Sequence, residues 1–177
     1  MLSKILTEYS ERITELEAQI NDNDQWLRSN NVEIKGVPMK ANENLFDLVS
    51  KIGSVINYNV TKTQLNYVTR VPSRNSGLPK PIIVSFLNRY AKEDFIAASR
   101  ISKGLTAANI GFGDSSRIYV NDHLTMANKQ LLTKAKQSAK NCDFQFIWVK
   151  HSKIMARKNA TSKVFQIRSD LDISKIN

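Results

Sequence analysis

Cysteine, histidine and long apolar runs are scarce in this chain of 177 residues. The single cysteine, Cys142, excludes a disulfide within one chain and a zinc site built on several cysteines. Only two histidines are present, so we do not expect a catalytic metal site. The longest apolar runs are far shorter than the roughly 20 residues that span a bilayer, and Met1 does not begin a signal sequence. We therefore expect a protein inside the cell, without a membrane span, metal or cofactor.

Catalytic motifs are also missing from the sequence. There is no G-x-x-x-x-G-K-[ST] phosphate loop, no G-x-S-x-G elbow and no pair of carboxylates near a histidine. Asp122 and His123 are adjacent, but neighbouring side chains on a strand point to opposite faces, which makes them a poor catalytic dyad. We expect that the protein is not an enzyme.

Positive charge is abundant but unevenly distributed. The chain has 26 Lys and Arg against 16 Asp and Glu, a net charge of +10. Residues 1–30 carry three basic and six acidic side chains, so the remaining 147 residues carry +13. Such a field concentrates anionic partners, nucleic acid above all. The alternatives are lysines that are merely solvated, and an anionic membrane, for which no basic amphipathic helix with exposed Trp or Phe is present.

The first thirty residues carry an apolar repeat with alternating steps of four and three, the a/d spacing of a coiled coil. We predict that oligomerisation uses its apolar members, which are Leu2, Leu6, Tyr9, Ile13, Leu16, Ile20 and Leu27. Asn23 takes a d position, where it costs stability but can fix the register. About three and a half heptads is a marginal length. The alternative is an amphipathic helix that packs on its own domain.

From residue 31 to residue 121 the pattern changes to short strands alternating with helices. Strands are predicted at 32–37, 67–71, 82–87 and 117–120, with helices after Asn44 and from Asn88 to Arg100. The order β-α-β-β-α-β is that of the ferredoxin-like plait, which RNA recognition motifs use. A loop rich in Pro, Ser and Gly, at 72–81, joins the second and third strands.

Residues 122–177 form a second, basic α/β unit. A helix is predicted from 124 or 125 to about 140, then strands at 144–149, 154–157 and 164–168, and a last short helix capped by Ser169. The first two strands form a hairpin with a basic tip at 150–153. The predicted fold class is therefore α+β: a coiled-coil stalk at 1–30, a noncanonical RRM-like domain at 31–121 and a small basic domain at 122–177.

Six segments carry a resemblance to a known family. They are NNVEIKGVP (30–38), NYVTRVPSR (66–74), PIIVSF (81–86), AASR (97–100), RIYVNDHLT (117–125) and FIWVKHSKIMARK (146–158). Their order after an acidic coiled coil resembles the RNA-binding protein encoded by the first reading frame of LINE-type, non-LTR retrotransposons. The C-terminal part is also similar to the baculovirus FP protein, chiefly through KIMARKNATSKVFQIRS (153–169).

The resemblance implies a homotrimer, with a dimer as the alternative, in which a coiled coil joins three RNA-binding units. It further implies a ribonucleoprotein that coats the element's transcript, nucleic-acid chaperone activity and a cytoplasmic location, with a nuclear one as the alternative. A second hypothesis from a different class is a structural or assembly protein of the baculovirus FP type. Such a protein would act through protein or membrane contacts.

The predicted plait departs from the classical RNA recognition motif at the positions that stack bases. These positions correspond to Glu33, Pro81 and Ile83, and none is aromatic. Affinity must then come largely from phosphate neutralisation, with low sequence preference. Phe146 and Trp148 alternate with Ile147 and Val149, so one pair faces the core. Trp148 is either partly buried packing or a platform for base stacking.

Matching to the family motifs places basic residues on both walls of a cleft between the plait and the tail. Arginine suits phosphate because its planar fork can engage two oxygens. One wall would carry Arg70, Arg74, Arg100 and Arg117, with Tyr119 as a base contact, and the other Lys150, Lys153, Arg157, Lys158 and Arg168. Three of these have ordinary alternatives: a salt bridge for Arg70, the macrodipole of its helix for Arg100 and a strand cap for Arg117.

Overall fold

The computed structural model describes residues 1–73 and 76–176, which divide into two compact units. One unit is formed by residues 30–123, and the other by residues 1–29 together with residues 124–177. The fold is mixed α+β, with a long N-terminal helix and antiparallel sheets, which confirms the predicted class. The finer division at residues 30 and 121 stays a prediction.

The N-terminal helix, α1 (Leu2–Leu27), is 26 residues long and buries none of its side chains. The apolar residues of the predicted repeat lie along it, and Leu2, Leu6, Tyr9, Ile13, Ile20 and Leu27 each expose more than half of their surface. A single helix of this composition has no core of its own. The exposed stripe is the main apolar surface that the described part of the chain leaves uncovered.

Residues 30–123 fold into one sheet with two helices. The strands are β1 (Asn31–Lys35), β2 (Leu65–Arg70), β3 (Ile82–Phe86) and β4 (Tyr119–Asp122), and the helices are α2 (Leu45–Val55) and α3 (Arg89–Ile101). The strand order is β2-β3-β1-β4, antiparallel throughout, which is the split βαβ arrangement. Asn44 and Asn88 begin the two helices as predicted, each accepting a hydrogen bond from a backbone N–H.

The core of this unit lies between the helices and one face of the sheet. Val32 and Ile34 alternate with Glu33 along β1, so the two apolar side chains share the inner face. They pack in the same cluster as Ile52 and Phe95 from the two helices. This alternation fixes the register, because a slip by one residue would turn Glu33 inward.

The loops of this unit contain short helical turns that the sequence analysis missed. Residues Lys62–Gln64 and Ala107–Ile110 form single 3-10 turns, each begun by a threonine in a capping box. The fourth strand begins at Tyr119 rather than at residue 117, because Arg117 instead forms an isolated bridge with Thr106. At the other end of β1, Gly36 has φ +86°, and a Cβ there would lie 2.2 Å from the Arg117 carbonyl oxygen.

The C-terminal elements form a second, smaller sheet. Helix α4 (Met126–Asn141) is followed by β5 (Phe146–Lys150), β6 (Lys153–Arg157), β7 (Phe165–Ile167) and the short helix α5 (Asp170–Ile173). The strands pair in sequential, antiparallel order. His151 and Ser152 form the two-residue hairpin turn with φ values of 51° and 61°, whose twist matches that of the strands.

The last part of α1 contacts the beginning of α4 through polar side chains. Thr125 is the N-cap of α4, and its hydroxyl donates to Asn21 Oδ1 at 2.7 Å. Gln25 Oε1 accepts from Asn128 Nδ2 at 2.8 Å and from the Thr125 backbone N–H at 3.0 Å. Asn21 and Gln25 follow Ile20 in the chain. The apolar residues of the repeat from Leu2 to Ile20 take no part in these hydrogen bonds and are exposed.

Candidate nucleic-acid interface

The C-terminal sheet presents two chemically different faces. Ile147, Ile154, Ala156 and Ile167 pack with α4 in the core of this unit. Side chains alternate along a strand, so the residues between them lie on the opposite, outer face. That face carries three cross-strand pairs, which are Phe146 with Arg157, Trp148 with Met155, and Lys150 with Lys153.

Charge on and around this outer face is of one sign. Residues 144–168 contain six basic side chains and no acidic one. All but Arg157 are exposed, and the six are Lys150, Lys153, Arg157, Lys158, Lys163 and Arg168. Within the described residues, Lys150, Lys153 and Lys163 form no ion pair. The five predicted tail residues therefore belong to one continuous stretch of positive charge.

The acidic residues that follow this stretch are engaged elsewhere. Asp170 pairs with Lys134 of α4 at 2.9 Å, and Asp172 pairs with Lys175 at 2.5 Å. The hydrogen bond from Lys175 is the main cause that lowers the pKa of Asp172, and the backbone N–H of Arg168 adds to it. Neither carboxylate neutralises Lys150 or Lys153 at the hairpin.

Arg157 is the most constrained cation of the outer face. Its guanidinium lies 4.5 Å from the centroid of the Phe146 ring, within the range of a cation–π contact. Its Nη1 donates to the carbonyl oxygen of Ala160 at 3.4 Å. The planar guanidinium is thus held against an aromatic face.

Arg70, predicted to bind phosphate, is instead part of the interior of the plait. A guanidinium has five N–H donors, and here five acceptors meet them: both carboxylate oxygens of Glu43 and the carbonyl oxygens of Val37, Pro38 and Lys80. Only 8% of the Arg70 side chain is exposed. The hydrogen bond from Arg70 is the main cause that lowers the pKa of Glu43. Arg70 therefore forms the salt bridge that was the alternative to phosphate binding, and it is not part of the candidate interface.

Arg100 lies in the last turn of α3, where its positive charge interacts favourably with the helix macrodipole. Its side chain is 56% exposed, and its Nη2 is 3.9 Å from Asp122 Oδ2. The same carboxylate forms an ion pair with Lys92, whose side chain is completely buried. The sequence analysis did not single out Lys92, although its spacing of three and four from Phe95 and Ile96 places it on the buried stripe.

Arg117 and Tyr119 lie together at the edge strand of the plait. Both are exposed, and the Arg117 guanidinium is 5.7 Å from the centroid of the Tyr119 ring. Lys35 pairs with Tyr119 in the β1–β4 register and adds a third solvent-exposed group. Arg74 lies outside the described residues, and the predicted cleft between plait and tail stays a prediction.

The outer face of the plait offers no aromatic ring at the positions used for stacking. Glu33 and Ile83 are register partners and expose only 4% and 1% of their surface. Lys35 Nζ lies 3.5 Å from Glu33, so this carboxylate has a nearby cation. These positions cannot hold a base as aromatic residues would.

Fold and surface together define an α+β protein whose C-terminal sheet is cationic and free of acidic residues. Residues 125–177 match the family model described as Baculovirus FP protein domain 2. This match confirms the predicted similarity of the C-terminal part, and it covers under a third of the chain. No curated protein matches the chain. The resemblance to the retrotransposon protein stays a prediction.

Among residues 1–73 and 76–176, none of the helices has both the length and the apolar content that a bilayer crossing needs. The same residues contain no cluster of three His, Cys, Asp or Glu side chains suited to a metal ion.

Proposed function

We propose that this chain is an oligomeric protein that binds single-stranded RNA or DNA largely without sequence preference. The carrying observation is the outer face of the C-terminal sheet together with its flanking loops, where six cations in 25 residues meet no acidic residue. Phosphates are the abundant ligands with the opposite charge and regular spacing that such a surface would neutralise. Arg100, Arg117 and Tyr119 of the noncanonical RRM-like plait are proposed as additional contacts.

The proposal includes self-association through α1. A parallel, in-register coiled coil would bury the a and d residues that one helix leaves exposed. In that repeat Arg12 takes a g position and Glu17 the following e position, so Arg12 of one copy would face Glu17 of the next. The resemblance favours a trimer, and a dimer is the alternative. Several linked binding sheets would gain avidity on one strand.

The biological form of the proposal follows from the same resemblance. It is a cytoplasmic retrotransposon ribonucleoprotein with nucleic-acid chaperone activity, and a nuclear location is the alternative. Weak, salt-dependent contacts to phosphates suit a chaperone, because strands can exchange while the protein stays bound.

The test is a fluorescence-anisotropy titration of a labelled RNA of about 30 nucleotides, long enough for several sites of the usual 4–16 nucleotides. The full chain is measured at 50 and 200 mM salt. Phosphate neutralisation at six contacts predicts that affinity for a single strand falls about 300-fold between these concentrations.

The contribution of α1 is tested in the same assay with paired variants. Ile13→Asp with Ile20→Asp places charges in the apolar stripe, whereas Thr14→Asp with Ala18→Asp places equal charges outside it. We expect the first pair to reduce affinity about 100-fold through lost avidity, and the second pair to have little effect. Sedimentation measures the accompanying loss of the oligomer.

The match over residues 125–177 favours one alternative, a structural or assembly protein of the baculovirus FP type. Such a protein would use the basic face for acidic proteins or lipids. Binding that does not change with salt, or no binding at 50 mM salt, would contradict the nucleic-acid proposal and support this alternative. A low ratio of absorbance at 260 to 280 nm after purification at low salt would agree with it.

A further inference from the structure

A cavity of about 360 Å³ opens beside the first residues of β5. Its lining is mixed, with two aromatic side chains, an aliphatic one, an amide and a guanidinium. These residues are Gln145, Phe146, Ile147, Trp148 and Arg157. Phe146 and Trp148 also belong to the outer face of the sheet, which is the face that carries Lys150 and Lys153.

One polar atom of Arg157, a lining residue, lacks a partner. Arg157 Nε is buried and has no hydrogen-bond acceptor in the described part of the chain, although Nη1 of the same group is bonded to Ala160. Buried donors without partners are uncommon in folded proteins, because the lost hydration is not recovered. Because Nε is closed to solvent, a ligand in the cavity would meet the partly exposed Nη end of the same guanidinium, which also requires a hydrogen-bond acceptor.

The surroundings of this donor restrict the shape of that ligand. The Arg157 guanidinium lies 4.5 Å from the Phe146 ring centroid, so the donor belongs to a planar group held on an aromatic face. Phe146 and Trp148 stand two residues apart on one strand face and present π surfaces along it. A flat ring with acceptor atoms at its edge fits these neighbours.

The charge around the cavity restricts the ligand further. Lys150 and Lys153 form the next cross-strand pair beyond Trp148 and Met155, and no acidic residue occurs from 144 to 168. A flat, acceptor-bearing ring attached to a chain of phosphates combines these features. Nucleotides of a single strand have this chemistry, whereas the bases of a duplex are stacked and paired.

We propose that this cavity holds a nucleobase of the bound single strand. The base stacks on Phe146 and Trp148, the Nη end of the Arg157 guanidinium donates to an acceptor on its edge, and Lys150 and Lys153 contact the adjoining phosphates. The inference rests on the proposed function and adds that binding depends on the bases as well as on the phosphates. An aromatic or acidic side chain of a protein partner is the competing occupant.

Trp148 gives a direct signal for this contact. The chain has two tryptophans, and Trp26→Phe leaves Trp148 as the sole one. In that background the full chain is titrated at low salt with a single-stranded oligouridylate of about 12 nucleotides. The matched probe is an abasic sugar-phosphate chain of the same length. We expect the oligouridylate to quench Trp148 fluorescence and the abasic chain to leave it unchanged.

Variants of Phe146 separate stacking from charge. Phe146→Leu removes the ring and keeps an apolar side chain, whereas Phe146→Tyr keeps the ring. We expect Phe146→Leu to weaken oligouridylate binding at least about fivefold, with unchanged affinity for the abasic chain and an unchanged salt dependence. Phe146→Tyr should bind as the parent does. Circular dichroism checks that both variants are folded.

Arg157→Lys provides a second route if Phe146→Leu does not fold. It keeps the positive charge but removes the planar donor. Selective weakening of oligouridylate binding supports the base pocket. If the parent binds both probes with equal affinity and Trp148 fluorescence is not quenched, the base pocket is overturned while phosphate binding stands. The same result is expected if a protein side chain occupies the cavity. No binding of either probe at low salt would overturn both the pocket and the proposed function.

Discussion

The plait and the C-terminal sheet carry similar numbers of cations but use them differently. Residues 30–123 contain 12 basic and seven acidic side chains, whereas residues 124–177 contain 11 basic and three acidic ones. In the plait, Arg70 and Lys92 are buried against carboxylates. On the C-terminal sheet, Lys150 and Lys153 are exposed and form no ion pair within the described residues. The number of cations in a region therefore does not determine how much unpaired positive charge it exposes, whereas the placement of its acidic residues does.

The physical reason is the cost of removing charge from water. A buried cation requires a partner, and removing that partner leaves an uncompensated charge in the interior. An exposed cation keeps its hydration and remains available to an external anion. Substitutions of the buried cations of the plait, Arg70 and Lys92, should thus change stability, and substitutions of the exposed lysines of the C-terminal sheet should change affinity.

The largest effect is expected from Lys92→Met. Asp122 would lose its buried partner, and stability should fall by about 4 kcal/mol because its carboxylate remains in the interior. Urea unfolding monitored by circular dichroism measures this change. Lys51→Met alters an exposed lysine of α2 and is the control, with an expected change below about 0.5 kcal/mol. A similar small change for Lys92→Met would contradict the role assigned to the buried pair.

A somewhat smaller loss is expected from Arg70→Lys. The ammonium keeps the charge but has three donors in place of five, so acceptors around Glu43 lose their partners. We expect a loss of about 2 kcal/mol in unfolding free energy. RNA affinity, measured where the variant is folded, should remain that of the parent. If Arg70→Lys is fully folded but binds RNA much more weakly than the parent, Arg70 belongs to the binding surface.

On the C-terminal sheet the expected effects are reversed. Lys150→Ala with Lys153→Ala should weaken single-strand binding about 10-fold near 0.1 M salt and lower the salt slope by about 1.4, because two phosphate contacts are lost. Thermal unfolding should be nearly unchanged. Lys51→Ala with Lys103→Ala removes the same charge from exposed positions of the plait unit and serves as the control. Equal loss of affinity in both pairs would show that net charge, rather than this surface, determines binding.

The smallest effect concerns acid pH. Arg70 holds the pKa of Glu43 below its usual 4.5, so the folded state favours the ionised carboxylate. This contribution to stability is complete above the unfolded pKa and is lost as the pH falls through the lower, folded pKa. Part of the loss of stability below about pH 4.5 should therefore disappear in Glu43→Gln. Urea midpoints measured from pH 6 to pH 3 test this, and an identical pH profile for the two proteins would contradict it.

Local sequence signals predicted much of the fold. Asn44, Asn88 and Thr125 each begin a helix where a side-chain oxygen followed by apolar periodicity indicates one. The basic hairpin tip at 150–153 was also predicted, since four polar residues separate two apolar strands there, although the turn itself contains only His151 and Ser152. Such signals depend only on residues within a few positions, so they can be recognised without knowledge of tertiary contacts.

Long-range pairings could not be predicted in the same way. Glu43 and Arg70 are 27 residues apart, and other acidic residues were equally available to that arginine. The outward direction of Phe146 and Trp148 was undetermined because Ile147 and Val149 are also apolar, so alternation alone could not identify the inner face. The cavity beside Arg157 depends on that direction and was therefore beyond the sequence analysis.

The close approach of Gly36 to the backbone of Arg117 affects how this protein tolerates mutation. Any side chain at position 36 would collide with the Arg117 carbonyl and disfavour the positive φ, and so would displace the start of β4. Arg117 and Tyr119 would move with it. In a saturation screen that selects for binding, position 36 would be as intolerant as a contact residue, and a parallel measurement of protein abundance would show whether its effect is on folding.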